Sequence, residues 1–202
     1  SIFGIRSFLG RYALMIIGLT GKSCSGKNMF AKLMDKDRFE VIDEDYIGHI
    51  ALDENKNELV SAFGSQILSQ DGKIDRKKLS PIVFSSEEKL SLLNSIVHPW
   101  MVKKTLDLCK KIEQEGKNAV INAAILEKMG FVPYCDQVVL VLSKYENRLE
   151  RALNRDDITE DAFKRRSDMQ KDIGSSLFSS GKKIVTIFND GTEEQLSNQA
   201  RF

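Results

Sequence analysis

The 202-residue chain is poor in cysteine, in net charge and in long apolar runs, and each shortage excludes a class of protein. Its three cysteines, Cys24, Cys109 and Cys135, are odd in number and form no CxxC pair, so neither a disulfide framework nor a zinc site is indicated. They favour a reducing compartment, and we expect a cytoplasmic protein. No apolar run approaches the length of a membrane span. A net charge of +1 gives no overall basic surface for nucleic acid.

The N-terminal segment differs in character from the rest of the chain. Residues 1–14 carry Arg6 and Arg11 among aromatic side chains, but they have no long apolar core and no small-residue cleavage site, which argues against a signal peptide. We expect them to be an appendage, either from an upstream start of translation or added for expression. With 42% hydrophobic residues, the chain can bury one core, so residues 15–202 are predicted to form a single domain.

The strongest motif lies close behind this segment. An apolar run, Leu14–Leu19, has the length and β-branching of a buried strand. The chain then turns at Gly21, passes Gly26 and Lys27, and continues as a helix-like run from Asn28 to Leu33. A strand, a glycine loop with a lysine, and a helix form the context of a phosphate-binding P-loop, whose N–H groups, helix end and lysine hold phosphate oxygens. A glycine-containing turn that binds nothing is the alternative.

One residue of the loop departs from the pattern G-x-x-x-x-G-K-[ST]. Asn28 stands where the pattern has a hydroxyl that ligates Mg²⁺, and its amide oxygen can take that place, so we predict it as a Mg²⁺ ligand. Cys24 is either a small tolerated side chain or a redox-sensing thiol. The ATP-binding residues predicted in this loop are Gly21, Cys24, Ser25, Gly26, Lys27, Asn28 and Met29.

Two carboxylates, Asp43 and Asp45, follow a second predicted strand, Phe39–Ile42. Carboxylates at this end of a strand face the crevice in which open α/β sheets bind ligands. On an extended segment alternate side chains point to the same side, so one carboxylate can help to hold Mg²⁺ with its water while the other takes a proton from an acceptor hydroxyl. Helix capping by either aspartate is the alternative.

The rest of the chain alternates again between strands and helices after a mostly helical middle. The predicted strands are Asn118–Asn122, Gln137–Leu142 and Ile184–Phe188. This order predicts a three-layer α/β fold with a parallel sheet, in which the helical middle is an insertion. Pro99 is predicted to start a helix. His98 before it is then either a helix-capping residue or a contact to the phosphorylated acceptor, and His49 is expected to be structural or on the surface.

Arginines cluster in the next predicted helices. Arg148, Arg151 and Arg155 have helical spacing and form one positive face. Such a face is usually solvated, but with a nucleotide loop in the same chain we expect Arg155 to lie on a lid and to neutralise the charge of the transferring phosphate.

Five stretches, taken in order, resemble one enzyme family. They are Ile17–Gly21 with Ser25–Lys27; Val41–Asp45; Asp71–Leu79 with Ile82–Phe84; Leu93–Pro99; and Arg155–Asp157 with Arg166 and Gln170. They are similar to the opening loop, the V-I-D-x-D segment, the D-G-x-I-D-R-x-x-L and I-V-F run, the L-N-x-I-x-H-P motif and the lid of the dephospho-CoA kinases. The resemblance runs from Ile16 to about Gln195.

This resemblance implies a kinase that transfers a phosphoryl group from ATP, with Mg²⁺, to the ribose 3′-hydroxyl of dephospho-CoA, the last step of coenzyme A synthesis. It implies the P-loop nucleoside-triphosphate-hydrolase-like kinase fold, with a helical acceptor-binding insertion at about 47–115 and a lid at about 144–172. The partners would be small molecules, with no nucleic acid or membrane, and the chain a monomer or a weak homo-oligomer.

The resemblance also assigns residues. Asp45 corresponds to the catalytic base, while Lys27 and Arg155 would stabilise the charge in transfer. Asp43 and Asn28 are then the predicted Mg²⁺ ligands. The acceptor site would contain Asp45, Arg76 and His98, and Asn189 fits the adenine side of the ATP site.

Several positions depart from the family. Besides Asn28, Lys22 replaces a usual glycine, Phe188 replaces a usual Asp, and the segment around Asn122 lacks the usual Asp and Pro. Asn28 and Asn122 both bear on Mg²⁺. They keep two alternatives open: a P-loop nucleotide-binding protein that has lost activity, and a P-loop kinase for another small hydroxyl acceptor.

Overall fold

A computed structural model describes residues 14–156 and 158–201, and the predictions made for residues 1–13 lie outside them. The chain divides into two compact units. Unit 1 contains the chain up to Ile42 and from Cys109 onward, and unit 2 contains Asp43–Leu108. Unit 2 is thus inserted, in sequence, between two segments that build unit 1.

Unit 1 is built on a five-stranded parallel sheet with the strand order β2-β3-β1-β4-β5. The strands are β1 (Ile16–Thr20), β2 (Phe39–Asp43), β3 (Asn118–Asn122), β4 (Gln137–Leu142) and β5 (Lys183–Phe188). β1 is central and almost wholly buried, as its continuous apolar sequence requires for a strand covered on both faces. The predicted strands and the parallel α/β class are confirmed.

Both faces of the sheet are covered. The helices of unit 1 are α1 (Lys27–Leu33), α6 (Tyr145–Asp156), α7 (Glu160–Asp168) and α8 (Glu193–Gln199). On one face Leu19 packs in a cluster with Phe30 of α1 and Leu196 of α8. On the other face Gly18 lies so close to Leu126 that a Cβ atom would be 2.6 Å from its side chain. One face of the sheet is thus covered by α1 and α8, and the other face is covered at Gly18 by the segment between β3 and β4 that contains Leu126.

Unit 2 is helical, as the sequence predicts. Its helices are α2 (Glu44–Glu54), α3 (Lys56–Phe63) and α4 (Arg76–Val83), followed by α5 (Glu87–Gln114), which continues into unit 1. The predicted helix start at Pro99 is wrong, because Pro99 lies inside α5. Pro99 removes one helical hydrogen bond, but Val97 and Met101 on either side are buried, and their packing keeps the helix continuous.

No helix in the described ranges combines the length and the apolar character that a membrane span needs.

Candidate active site

The predicted phosphate loop lies between β1 and α1, and close contacts require both of its glycines. Gly26 is the N-cap of α1 with φ of 94°, and a Cβ atom there would lie 1.9 Å from Nδ2 of Asn189. A Cβ atom at Gly21 would lie 2.5 Å from the carbonyl oxygen of Val141. A larger residue at either position would push against β4 or the segment after β5, so the loop geometry depends on these glycines.

Three successive carbonyl oxygens of the loop each accept a hydrogen bond from a polar side chain. The pairs are Ser23 with Arg148 (3.3 Å), Cys24 with Arg151 (3.2 Å) and Ser25 with Asn189 (2.8 Å). We call Arg148, Arg151 and Asn189 the carbonyl clamp. Because peptides are planar and trans, the N–H groups of Cys24 and Gly26 point away from the clamp. Such outward N–H groups are what an anion-binding loop presents to phosphate.

Lys27, at the end of the loop, is held by two amide side chains. Its Nζ donates to Oδ1 of Asn122, at the end of β3, and to Oδ1 of Asn28, 3.0 Å away. Asn122 also donates from Nδ2 to the same oxygen of Asn28 at 3.1 Å. The two departures from the family pattern that bear on Mg²⁺ therefore form one network with the loop lysine. Both amides are neutral, so neither of them cancels the positive charge of Lys27.

Cys24 and Ser25 are the two unusual residues of the loop. Cys24 has φ of 60°, and within residues 14–156 and 158–201 it is the only non-glycine residue with a positive φ. This left-handed conformation favours glycine. Ser25 is 1% exposed, and its Oγ has no hydrogen-bond partner among the described residues. Strain and an unsatisfied polar group in one loop are typical of a binding site.

Asp43 and Asp45 do not share one extended segment, so the geometry predicted for the pair is wrong. Asp43 ends β2 and is the N-cap of α2, where its Oδ1 accepts a hydrogen bond of 3.0 Å from the backbone N–H of Asp45. Asp45 already belongs to the first turn of α2, and its side chain is exposed. An aspartate at this position starts a helix directly after the strand. The capping alternative is confirmed for Asp43, and Asp45 stays a candidate base.

Glu44, between these aspartates, is a buried carboxylate that the sequence does not reveal. It is 3% exposed, and its Oε1 accepts a hydrogen bond of 2.6 Å from the hydroxyl of Thr105. Burial raises the pKa of Glu44 to about 7, and the nearby charges of Asp43 and Asp45 add to that rise while the Thr105 bond opposes it. A glutamate flanked by two aspartates gives no sequence signal of burial.

The predicted acceptor residues Arg76 and His98 lie on different helices of unit 2. Arg76 opens α4, and its Nη1 is hydrogen-bonded to Nε2 of His49 on α2. His49 is four residues after Asp45, so both lie on one face of α2, and Arg76 reaches that face. This contact gives His49 a partner that sequence spacing did not reveal. His98 is half-buried inside α5, where burial lowers its pKa.

Arg148 and Arg151 of α6 do not lie on the solvated face that their spacing suggests. Arg148 is buried and Arg151 is half-buried, and both belong to the carbonyl clamp. Arg151 also donates from Nη2 to the carbonyl oxygen of Asn189 at 2.7 Å. Arg155 lies in the last turn of the same helix, and its side chain falls outside what the structure describes.

The parallel sheet, the glycine loop after its central strand and the lysine at the start of α1 define a P-loop nucleotide-binding fold. A family model described as dephospho-CoA kinase matches residues 15–191. The chain belongs to the dephospho-CoA kinase family, which is a family of transferases.

Individual relatives agree with this assignment. The dephospho-CoA kinase of Fusobacterium nucleatum is 39% identical over 151 residues, 72% of this chain and 76% of that protein. The dephospho-CoA kinase of Borrelia garinii is 34% identical over 186 residues, 90% of this chain and 88% of that protein. Among solved structures, the Campylobacter jejuni dephospho-CoA kinase has a TM-score of 0.61 at 28% identity, over 92% of this chain and 93% of that chain. TT1252 from Thermus thermophilus has a TM-score of 0.77 at 24% identity, over 92% of this chain and 94% of that one, and supports the fold.

Proposed function

We propose that this protein transfers the γ-phosphoryl group of ATP to the ribose 3′-hydroxyl of dephospho-CoA, giving CoA and ADP. The observation that carries the proposal is the family match over residues 15–191. It is supported by the phosphate loop, whose carbonyl oxygens are bound by the carbonyl clamp and which ends in Lys27. Both substrates are small molecules. We further propose that it works in the cytoplasm, as a monomer or a weak homo-oligomer, with unit 2 as the acceptor-binding insertion and about 144–172 as the lid.

ATP would bind along the phosphate loop. Lys27 would exchange the neutral oxygens of Asn28 and Asn122 for charged phosphate oxygens, an exchange that favours the bound state. Asn189 both closes the loop and marks the adenine side. The full set of proposed ATP contacts is Gly21, Cys24, Ser25, Gly26, Lys27, Asn28, Met29 and Asn189.

Catalysis would rest on charge stabilisation and one proton transfer. Lys27 and Arg155 would stabilise the charge of the phosphoryl group in flight, and Asp45 would accept the proton of the 3′-hydroxyl. Asp45 is exposed on the first turn of α2, so its carboxylate is accessible to a substrate hydroxyl. Arg76 and His98 would bind the acceptor, and His49 would hold Arg76 in position.

Mg²⁺ would be held by Asn28 and Asp43, together with the phosphates of ATP. The donor set fits, because Mg²⁺ takes oxygen ligands and usually keeps several waters beside one or two carboxylates and substrate phosphates. Bound there, it would neutralise phosphate charge. Asn28 contributes a neutral oxygen that also accepts from Lys27 and Asn122, so the chain itself binds the ion weakly and depends on the nucleotide for affinity.

The network of Asn28 and Asn122 also favours a second candidate, a nucleotide-binding protein of this family that has lost its activity. Asn28 is a neutral amide where the family pattern has a hydroxyl, and the segment around Asn122 lacks the usual Asp. That candidate predicts ATP binding without turnover. A kinase for another small hydroxyl acceptor would have the same loop. Measuring turnover with a panel of hydroxyl acceptors would distinguish it from a dephospho-CoA kinase.

Two experiments test the proposal. Dephospho-CoA should be phosphorylated, whereas its 3′-deoxy analogue should not, and phosphorylation of the analogue would exclude the 3′-hydroxyl as the target. Lys27→Ala should weaken ATP binding and turnover together. The control is Lys32→Ala on the same helix, whose lysine is exposed. Normal kinetics in Lys27→Ala would show that the loop is not the donor site.

A further inference from the structure

Arg148 is a buried cation behind the phosphate loop. It is 5% exposed, and its guanidinium lies 5.8 Å from the ring centroid of Tyr145 and 5.6 Å from that of Phe163. In the part of the chain that the structure describes, no carboxylate pairs with it, and its Nε has no hydrogen-bond partner. Two ring faces and two neutral oxygens are weak compensation for a desolvated charge. A buried cation kept without a counter-ion next to an anion-binding loop points to an anion supplied from outside.

The hydrogen bonds of Arg148 join α7 to the loop. Its Nη1 donates to the carbonyl oxygen of Ser23, and its Nη2 donates to Oγ of Ser167 on α7 at 3.2 Å. Gln170, just after α7, accepts a hydrogen bond of 2.7 Å from the backbone N–H of Ser23. Ser23 is therefore held through both of its backbone polar groups, and both attachments lead to α7 or its end.

We propose that Arg148 is a positioning residue of the ATP site, which fixes Ser23 in the anion-receiving loop conformation and gains its counter-charge from the phosphates of bound ATP. Arg148 acts through the backbone of the loop and through its electric field, which remains strong in this water-poor region. The link to Ser167 makes the loop sensitive to the position of α7. This proposal rests on the proposed donor site, and it holds whichever hydroxyl accepts the phosphoryl group.

A purely structural role for Arg148 makes a different prediction. Loss of a structural cation would lower the stability of the free protein and leave ATP affinity unchanged once the chain is folded. A positioning role changes ATP affinity in the folded protein. The affinity for dephospho-CoA at saturating ATP should stay constant, because the acceptor does not depend on Ser23. The two roles are therefore distinguished by the Kd for ATP and by whether the KM for ATP rises while the KM for dephospho-CoA stays constant.

The test uses the full chain and ATP, with Kd measured by titration calorimetry in the absence of acceptor. Arg148→Lys keeps the charge but loses the planar fork that reaches both Ser23 and Ser167, and Arg148→Met loses the charge as well. Arg148→Lys should bind ATP about tenfold more weakly, the size of one charge-assisted hydrogen bond, and Arg148→Met should lose more. The matched control is Arg38→Lys, in the turn before β2, where the guanidinium stacks on Phe39. Its ATP affinity should be unchanged.

ATP affinity equal to that of the parent in folded Arg148→Lys and Arg148→Met would overturn the proposal. If Arg148→Met does not fold, Arg148→Lys and Ser167→Ala decide, and unchanged ATP affinity in both overturns it. Failure of the proposed function has a different signature. In that case the parent shows no turnover with dephospho-CoA, while the loss of ATP affinity on replacing Arg148 is still observed.

Discussion

Asn189 lies so close to Gly26 that the loop has no space for a methyl group. A Cβ atom at position 26 would meet Nδ2 of Asn189 at 1.9 Å, and that same nitrogen donates to the carbonyl oxygen of Ser25. The residue that starts α1 and the residue after β5 are thereby fixed together. The shape of the proposed nucleotide site therefore depends on this contact as much as on the loop sequence.

Gly26→Ala should remove Asn189 from the clamp and strain the backbone. Overpacking of this kind costs about 1–3 kcal/mol, and we expect ATP affinity to fall at least as strongly as stability. Gly116→Ala is the control, because Gly116 also has a positive φ, of 80°, but has no atom within 4 Å of the added Cβ. Calorimetric Kd values and thermal melts check this. Equal losses in both variants would mean that backbone strain alone matters and that the contact with Asn189 does not.

Cys24→Gly should stabilise the protein relative to Cys24→Ala. Both changes remove the thiol, but only glycine adopts φ of 60° without a steric penalty, which is about 1 kcal/mol for an L-residue. At an ordinary backbone position the order is reversed, because alanine restricts the unfolded chain more. Urea unfolding of the two variants measures the difference. A more stable alanine variant would show that the loop relaxes out of the left-handed conformation.

Asn28→Ser and Asn122→Asp should act together on the Mg²⁺ requirement. Asn28→Ser restores the hydroxyl of the family pattern, and Asn122→Asp adds a carboxylate to a segment that lacks the usual Asp. Either change alone breaks the network that both amides share with Lys27. We expect activity at least equal to the parent, with the half-saturating Mg²⁺ concentration lowest in the double variant. We also expect a coupling of about 0.5–3 kcal/mol in stability, as for residues in one network. If the two substitutions had additive effects on the half-saturating Mg²⁺ concentration and on stability, Asn28 and Asn122 would not be coupled.

Glu44 should make stability fall as the pH rises from about 4.5 to about 7. Its pKa is about 7 in the folded chain against 4.5 in the reference state, so the folded state binds the proton more tightly. The destabilisation is absent below pH 4.5, grows between pH 4.5 and 7, and is complete above pH 7, where it reaches about 3 kcal/mol.

Glu44→Gln keeps the acceptor for Thr105 and removes this titration. Its unfolding free energy should exceed that of the parent by an amount that increases from pH 5 to pH 8, measured by urea unfolding. The same exchange at the exposed Glu54 of α2 controls for the change of net charge. A difference between Glu44→Gln and the parent that does not vary with pH would show that Glu44 is not buried as a titrating acid.

The sequence predicted the parts of this protein that depend on local chemistry. Apolar runs rich in β-branched residues, such as Val138–Val141, mark buried parallel strands. Gly26 followed by Lys27, between a strand and a helix, marks the phosphate loop. These features can be predicted from the sequence because each depends on fewer than about a dozen neighbouring residues. The resemblance to the kinase family depends on them and on the order of the longer motifs.

What the sequence did not reveal depends on contacts between distant segments. Arg148 reads as part of a charged face, yet it is enclosed between Tyr145 and Phe163 and reaches Ser23, 125 residues away in the chain. Helix spacing does not tell which side of α6 is buried, because Leu153 is exposed whereas Arg148 is buried. The prediction that a helix starts at Pro99 failed for a related reason. The packing that keeps α5 continuous comes from the tertiary structure and is not visible in the local sequence.

The most direct test of the proposed activity is Mg²⁺-dependent ADP release from ATP, with and without dephospho-CoA, in the parent and in Asp45→Asn. We expect strong stimulation by dephospho-CoA. In Asp45→Asn turnover should fall by about 10²–10⁴, the usual contribution of a general base, with ATP affinity unchanged. Asp37→Asn, exposed in the turn before β2, is the control and should match the parent. Tight ATP binding with no acceptor-dependent turnover in the parent would contradict the proposed kinase activity.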